Sequence, residues 1–305
     1  MAQEQTCHAS PESHSGMDEA GERLSQRMAR IRHKILVLSG KGGVGKSTVA
    51  ANLAVFLSAV GRRTGLLDID LHGPSIPKLL GLEGHLLRPS PEGLLPVVLS
   101  EKLKVMSVGF LLGEEQDHPV IWRGPMKHKV IEQFLGDVLW GDLDFLVVDS
   151  PPGTGDEPLS IAQLLTGVDG AVIVTTPQEL ALADVRKCVQ FCHQVRLPIL
   201  GVIENMSGLA CPHCGRMVTP FKSGGGEVMA REMGVPFLGR IPLDPQIVED
   251  SDAGTPYVLR QPESDAARAF GRVVELIMQS STGEAGEMAS LSTRATSGQD
   301  TGVGQ

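Results

Sequence analysis

A glycine-rich loop between a strand-like run and a helix-like run constrains this chain more than any other feature. The loop, SGKGGVGKST at residues 39–48, contains the pattern G-x-x-x-x-G-K-[ST]. Residues 35–38 before it are apolar, and residues 49–57 after it have the composition of a helix. In that context glycines let backbone N–H groups surround phosphate oxygens at the helix N-terminus. The loop therefore predicts that the chain binds a nucleoside triphosphate, which we take to be ATP.

Two side chains of this loop have predicted roles of their own. Lys46 would neutralise charge on the β- and γ-phosphates, and the Ser47 hydroxyl would bind Mg²⁺. The remaining contacts would come largely from the backbone. The predicted nucleotide-binding residues in the loop are Gly40, Lys41, Gly42, Gly43, Val44, Gly45, Lys46, Ser47 and Thr48.

Strand-like and helix-like runs alternate along most of the chain. The strand-like runs are residues 34–39, 64–68, 105–109, 145–149, 171–175, 199–204 and 237–241. The helix-like runs include residues 46–60, 126–139, 157–165, 180–194, 226–233 and 266–278. This alternation predicts an α/β fold of the P-loop NTPase type, with a mostly parallel sheet and helices on both faces. Ligands of such sheets collect at the carboxyl ends of the strands.

The two ends of the chain differ in composition from the region between them. Residues 1–30 are polar and predict a disordered leader, with a possible short helix at residues 22–31. Residues 31–280 predict a single P-loop ATPase domain that includes a C-x-x-C loop. Residues 281–305 are rich in Gly, Ser and Thr and predict a disordered tail.

The charge and hydropathy of the chain argue against several classes of partner. The formal net charge is −9 at pH 7 and no long basic block occurs, so neither nucleic acid nor a membrane surface is expected as a partner. No apolar run approaches the roughly 20 residues that a membrane-spanning helix needs. Residues 1–30 also lack the apolar core of a secretion signal. We therefore expect a cytoplasmic protein with reduced cysteines.

Carboxylates end two of the strand-like runs. Asp149 follows the apolar residues 145–148, and Asp68 and Asp70 close the run at residues 64–68. An acidic residue in this position commonly holds Mg²⁺ or its waters beside the phosphates, so we predict that Asp149 and Ser47 bind Mg²⁺. One of Asp68 and Asp70 is predicted to orient the attacking water or the metal.

Cys211 and Cys214 have C-x-x-C spacing in a loop that also contains proline and glycine. Three interpretations remain open: half a zinc site, a redox dithiol, or half an iron–sulfur site. Two chains together would supply enough thiolates for a [4Fe–4S] cluster. Cys188 and Cys192 lie on one face of a helix-like run and are interpreted as small buried apolar residues.

The phosphate loop resembles the deviant Walker A loop of the MinD/ParA/nitrogenase-iron-protein class, because Lys41 is present as well as Lys46. The resemblance implies that Lys41 reaches the nucleotide of a second subunit, as an arginine finger does in trans. Lys41, Lys46, Asp68 and Asp70 form the predicted catalytic set.

Several further motifs together resemble the Mrp-type iron–sulfur cluster carrier ATPases, which include the nucleotide-binding scaffold proteins of cytosolic cluster assembly. The motifs, within residues 34–279, are DLHGPS (70–75), WRGPMK (122–127), DSPPGTGD (149–156), TTPQ (175–178), ENMS (204–207) and CPHCG (211–215).

This resemblance implies a homodimer that bridges a labile [4Fe–4S] cluster through Cys211 and Cys214 of each subunit. It also implies slow ATP hydrolysis coupled to cluster transfer to apo iron–sulfur proteins, with a related chain as a possible hetero-partner. By the same resemblance, Asn205 contacts the adenine base, a role that its amide suits.

Two other functions use the same nucleotide site. The first is a MinD/ParA-like positioning ATPase, which would need a basic amphipathic helix or a basic DNA-binding patch. The second is a zinc-stapled regulatory protein that holds a nucleotide without turnover. ATP turnover that depends on Lys46 would distinguish the carrier from the second.

Overall fold

The computed structural model describes residues 12–112, 124–211, 214 and 216–281. The leader before residue 12, the tail after residue 281 and Trp122 and Arg123 of the WRGPMK motif lie outside this range. The described strands are β1 (Ile31–Ser39), β2 (Thr64–Asp68), β3 (Arg88–Ser90), β4 (Gly93–Leu95), β5 (Val97–Ser100), β6 (Leu103–Ser107), β7 (Leu143–Asp149), β8 (Gly170–Thr175), β9 (Ile199–Glu204), β10 (Leu209–Ala210), β11 (Met217–Val218) and β12 (Phe237–Arg240).

The described helices flank these strands on both sides of the main sheet. They are α1 (Glu12–Ala29), α2 (Lys46–Ala59), α3 (Ile76–Leu79), α4 (Gly109–Leu112), α5 (Gly124–Gly136), α6 (Asp156–Leu164), α7 (Glu179–Gln194), α8 (Gly225–Glu232), α9 (Pro245–Asp252), α10 (Tyr257–Arg260) and α11 (Asp265–Ser281). None of them is long and apolar enough to cross a lipid bilayer.

The main sheet has eight strands in the order β12-β9-β8-β1-β7-β2-β6-β5. Its strand pairs are parallel except for β5, which runs antiparallel to β6 at one edge. Every residue of β2 and β8 is buried, as are the last six residues of β1, which is why these strands read as continuous apolar runs. The predicted α/β class with a mostly parallel, helix-covered sheet is confirmed.

The N-terminal region differs from the prediction, since helix α1 covers Glu12–Ala29 instead of a disordered segment followed by a short helix. Leu24 and Met28, one helical turn apart, are buried in the core, where α1 packs on α5 and β1. A Cβ added at Gly136 of α5 would lie 3.5 Å from the Leu24 Cβ. Helix α1 therefore packs with the sheet and its helices.

Most predicted strands and helices begin or end within a few residues of the observed ones. The β3–β4 hairpin and the edge strand β5 carry no clear sequence pattern, because these elements are short and only partly buried. Helix α9 was also missed, since its eight residues bury only Asp250. These elements lie at the edge of the sheet or outside it and do not change where the ends of the parallel strands meet.

Candidate functional site

The predicted site residues meet because the strands that precede them are neighbours in register. Val37 of β1 pairs with Asp149 of β7. On its other side, Asp149 pairs with Asp68 of β2. Asp68 in turn pairs with Ser107 of β6. The phosphate loop after β1 and the carboxylates that end β2 and β7 thus share one edge of the sheet.

The phosphate loop requires its glycines for both conformation and space. Gly43 and Gly45 have φ angles of 79° and 81°, which side chains other than glycine rarely adopt. A Cβ added at Gly45 would lie 2.3 Å from Asn205 Nδ2, and one added at Gly40 would lie 2.4 Å from the Asp184 carbonyl carbon. The loop is therefore packed closely against the segments that follow β8 and β9.

Lys46 lies buried among carboxylates at the start of α2. Its Nζ is 2.5 Å from Asp149 Oδ1 and 3.9 Å from Asp70 Oδ2, and it donates to Ser47 Oγ at 3.2 Å. In the predicted nucleotide complex the same ammonium group would face the phosphates. Lys46 would therefore exchange a carboxylate partner for a phosphate partner when nucleotide binds.

The residues predicted to hold Mg²⁺ have free coordinating capacity. Asp149 is fully buried, and its Oδ2 atom has no hydrogen-bond partner among the described residues. A buried carboxylate oxygen without a donor is costly unless a cation or water satisfies it. Asp149 and the neighbouring Ser47 hydroxyl therefore fit a divalent cation with oxygen ligands.

The two carboxylates after β2 differ in their surroundings. Asp68 is fully buried, and its oxygens accept hydrogen bonds from Ser107 Oγ at 2.9 Å and from the Ile76 and Asp70 N–H groups at 3.3 and 3.1 Å. Burial, reinforced by the Asp149 carboxylate, raises the pKa of Asp68 to about 8. These hydrogen bonds hold the Asp68 side chain against the loop after β2, and its catalytic role stays a prediction.

Asp70 is the second of these two carboxylates. Burial also raises its pKa, although the ammonium group of Lys46 opposes that shift. Its Oδ1 accepts the His72 and Gly73 N–H groups at 3.2 and 3.3 Å, which orients the carboxylate. Asp70 is the less enclosed of the two carboxylates, and its role in orienting water stays a prediction.

Asn205 lies against the phosphate loop at the end of β9. Its Nδ2 donates to the Val44 carbonyl at 2.9 Å. Beside it is a cavity of about 240 Å³ whose walls include Thr48, Met206 and Phe270. A mostly apolar cleft with one amide at its edge suits a purine base, so contact between Asn205 and adenine stays a prediction with suitable surroundings.

Lys41 has a half-buried side chain in the first turn of the loop, and its carbonyl accepts the Ser39 hydroxyl at 2.9 Å. Its predicted role concerns the nucleotide of a second subunit. That role stays a prediction.

The C-x-x-C pair lies at the tip of a short hairpin. Strands β10 and β11 pair antiparallel, and the Cys211 N–H donates to the Arg216 carbonyl at 2.9 Å. Cys211 is half-buried and Cys214 is exposed, while Pro212, His213 and Gly215 lie outside the described residues. The pair therefore lies on a hairpin at the surface of the protein.

The described residues contain no group of three or more His, Cys, Asp or Glu side chains that could hold a metal ion. Cys188 and Cys192 are fully buried in α7, as predicted. A hydrogen bond with Cys192, together with burial, raises the pKa of the Cys188 thiol. The burial of both side chains fits the role of small apolar residues.

Sequence reasoning missed a polar cluster beside the loop after β2. Glu157 Oε1 accepts Lys127 Nζ at 2.5 Å and lies 3.1 Å from His72 Nε2. All three residues lie in or directly beside motifs noted above, but their contact depends on how α5 and α6 pack. This cluster joins the loop after β2 to the first turns of α5 and α6.

A family model and curated relatives agree on the family of this chain. Residues 30–278 match the ParA family model described as NUBPL iron-transfer P-loop NTPase. An iron-sulfur cluster carrier protein of Methanocaldococcus jannaschii is 47% identical over 274 residues, covering 90% of this chain and 93% of the relative. The cytosolic Fe-S cluster assembly factor NUBP2 homolog of Dictyostelium discoideum is 49% identical over 252 residues, covering 81% and 95%.

A solved structure has the same fold. It is a nucleotide-binding protein of Archaeoglobus fulgidus in complex with ADP and with Co, and it is 41% identical with a TM-score of 0.71. The match covers 82% of this chain and 96% of that one. The family-model match, residues 30–278, extends over the whole sheet and includes both the phosphate loop and the cysteine hairpin. The resemblance noted in the sequence is thus confirmed, and the chain belongs to the NUBPL iron-transfer P-loop NTPase family.

Proposed function

We propose that this protein is an ATP-hydrolysing carrier that holds a [4Fe–4S] cluster across a homodimer and transfers it to apo iron–sulfur proteins in the cytoplasm. Cys211 and Cys214 of each subunit are the proposed cluster ligands. We call the cavity of about 240 Å³ beside Asn205 the nucleotide cleft. The observation that carries the proposal is that one short segment, residues 205–211, connects this cleft to the cysteine pair.

The buried cluster around Lys46 supports the ATPase half of the proposal. Lys46, with Asp149 at 2.5 Å, provides the cation that phosphates require and a carboxylate that can turn to a metal ion. Mg²⁺, when bound by Asp149 and Ser47, would neutralise charge on the phosphates. Asp70 would orient the attacking water, and family membership agrees with nucleotide hydrolysis in general.

The cysteine pair on the hairpin supports the carrier half of the proposal. Among the described residues no other metal-ligating group joins Cys211 and Cys214. A cluster of four irons takes four thiolates, so a second copy of the chain is the simplest source of the missing ligands. Surface exposure of Cys214 suits a cluster that is handed on, since a recipient must reach it.

A reconstitution and transfer assay tests both halves. After anaerobic loading we expect about four irons per dimer with thiolate-to-iron absorption, and transfer that activates an apo enzyme requiring a [4Fe–4S] cluster. Cys211→Ser/Cys214→Ser should abolish loading. Cys7→Ser, which replaces the cysteine of the polar leader, is the matched control and should load normally. Protein that takes up no iron, or a double variant that loads fully, contradicts the carrier function.

Hydrolysis is measured in the same preparations. We expect slow ATP turnover that is lost in Lys46→Ala, because the remaining loop cannot balance the phosphate charge. Normal turnover in Lys46→Ala contradicts the ATPase assignment. Nucleotide binding without turnover in the wild-type protein would instead favour the zinc-stapled regulator.

A further inference from the structure

The carboxylate of Glu204 is fully buried at the end of β9, directly before Asn205. A buried carboxylate needs several donors to offset its lost hydration. Glu204 Oε1 accepts the Ser207 hydroxyl at 2.5 Å and the Gly224 N–H at 2.7 Å, and Oε2 accepts the Gly226 N–H at 2.5 Å. The guanidinium of Arg240 approaches it with Nε at 3.7 Å. Both oxygens are thus held by strong, charge-assisted hydrogen bonds.

The donors to Glu204 lie at the two ends of the cysteine hairpin. The chain leaves the sheet at Ser207, passes through β10, the C-x-x-C pair and β11, and returns to the sheet region at Gly224. The Ser207 hydroxyl also lies 2.9 Å from the Ser223 hydroxyl, and this second contact joins the same two ends of the hairpin. One carboxylate therefore fixes the base of the excursion, residues 208–222, that carries both cysteines.

The residue that follows Glu204 in the chain contacts the phosphate loop. Asn205, its neighbour in the chain, donates its amide to the Val44 carbonyl of the phosphate loop and its N–H to the Thr175 carbonyl at 2.7 Å. A shift of Asn205 on nucleotide binding would be passed directly to the Glu204 backbone. Because the carboxylate makes its hydrogen bonds only in a narrow geometry, the hairpin base would have to follow.

The loop after β12 lies between the nucleotide cleft and the hairpin. The Ser207 N–H donates to the Ile241 carbonyl at 3.0 Å, and the Leu243 N–H donates to the Gly208 carbonyl at 2.7 Å. Leu243 lines the nucleotide cleft on one side and a second cavity of about 340 Å³ on the other. Met217 of the hairpin forms part of that second cavity, which leaves room for the hairpin to move.

We propose that Glu204 is a positioning residue that transmits the state of the nucleotide site to the geometry of Cys211 and Cys214. This inference rests on the function proposed above, since it takes the cysteine pair as the cluster ligands. If Glu204 only capped the first turn of α8, its loss would lower stability and leave the response of the cysteines to nucleotide unchanged. The two roles therefore differ in one measurable quantity.

That quantity is the effect of nucleotide on the reactivity of the two surface thiols. Alkylation of Cys211 and Cys214 by iodoacetamide is followed by mass spectrometry, without nucleotide, with ADP and with a non-hydrolysable ATP analogue. The assay uses a Cys7→Ser background, and Cys188 and Cys192 are shielded by burial. In the wild-type chain we expect the rate to change by about fivefold or more between nucleotide states.

Glu204→Gln keeps the shape of the side chain but turns an amide N–H₂ toward a backbone N–H donor. We expect it to reduce the nucleotide effect to within about twofold while the nucleotide Kd stays within about threefold of wild type. Ser207→Ala removes the hydrogen bond at one end of the hairpin only. In a fully folded chain it should give a nucleotide effect on the alkylation rate between those of the wild type and Glu204→Gln. Glu227→Gln is the matched control, because Glu227 is an exposed partner of Arg240 that does not hold the hairpin.

The outcomes separate this inference from the proposed function. If Glu204→Gln and Ser207→Ala both respond to nucleotide like wild type, the inference is wrong, even when thermal unfolding shows lower stability. A wild-type chain that loads iron but shows no nucleotide effect also overturns it and leaves the carrier function standing. A wild-type chain that responds, with the response lost in Glu204→Gln, supports the inference even if no iron loads, which would contradict the carrier function alone.

Discussion

Lys46 is a cation enclosed by carboxylates, and this arrangement prepares it to meet phosphates. Its side chain is 6% exposed and Asp149 is completely buried, so neither charge is screened by water. Without nucleotide, the ammonium group balances the Asp149 and Asp70 carboxylates. In the proposed complex the phosphates would take over Lys46, and Mg²⁺ would balance Asp149.

Replacing Lys46 by Met should remove both the cation that balances the buried carboxylates and the cation proposed to contact the phosphates. We expect ATP turnover to fall by at least about 100-fold. We also expect the free energy of unfolding of the nucleotide-free protein to fall by up to about 3 kcal/mol, because buried carboxylates lose their cation. Steady-state ATPase assays and urea unfolding measure the two effects.

Lys78→Met is the control for loss of a lysine charge elsewhere. Lys78 pairs with Asp252 at 3.6 Å, but both side chains are more than half exposed. Its replacement should cost less than about 1 kcal/mol and leave turnover unchanged. Equal stability of the two variants would contradict the importance of the buried cluster.

The meeting of Lys46, Asp70 and Asp149 could be predicted from sequence, whereas the environment of Glu204 could not. Each member of the first group follows an apolar strand, and parallel strands end at a common edge. Glu204 owes its position to N–H groups of Gly224 and Gly226, about 20 residues away in the chain. No local sequence pattern predicts a hydrogen bond between residues so far apart in the chain.

At the scale of elements, long buried strands and amphipathic helices were predictable, and short or polar elements were not. Strand β2 has the bounds that the sequence predicts, because all of its residues are buried and its sequence is therefore largely apolar. The β3–β4 hairpin has no such run, since it contains Arg88 and Pro89 and lies near the surface. Helix α1 was underestimated because its first residues are polar.

Helix α1 provides a test at this scale. Leu24 is 5% exposed against the core, so Leu24→Ala should lower the free energy of unfolding by about 2–4 kcal/mol. Leu86→Ala, at a side chain 61% exposed, is the matched control and should cost less than about 0.5 kcal/mol. Urea unfolding measures both. Equal stabilities would mean that α1 does not pack with the sheet as described.

At the scale of the whole molecule, each proposed site needs a second copy of the chain. The cysteine pair supplies half of a cluster's ligands, and Lys41 is proposed to act on the nucleotide of the other subunit. A dimer that completes both sites would join ATP binding to cluster binding. Coupling of this kind is reciprocal, so the cluster should also change nucleotide affinity.

Mixing two inactive variants tests the trans role of Lys41. A Lys41→Ala subunit retains Lys46, and a Lys46→Ala subunit retains Lys41, so a mixed dimer contains one complete site. Random mixing should restore about one quarter of the wild-type ATP turnover, because half of the dimers are mixed and each has one working site. No recovery after exchange of subunits would mean that Lys41 acts within its own chain.

Native mass spectrometry of the anaerobically reconstituted protein tests the central claim most directly. The predicted species is a dimer that carries a single [4Fe–4S] cluster, and Cys211→Ser/Cys214→Ser should give a protein of the same fold without the cluster mass. Cys7→Ser should retain the cluster. A monomer that holds a complete cluster, or a double cysteine variant that still carries one, would contradict the claim that two copies share the cluster through these cysteines.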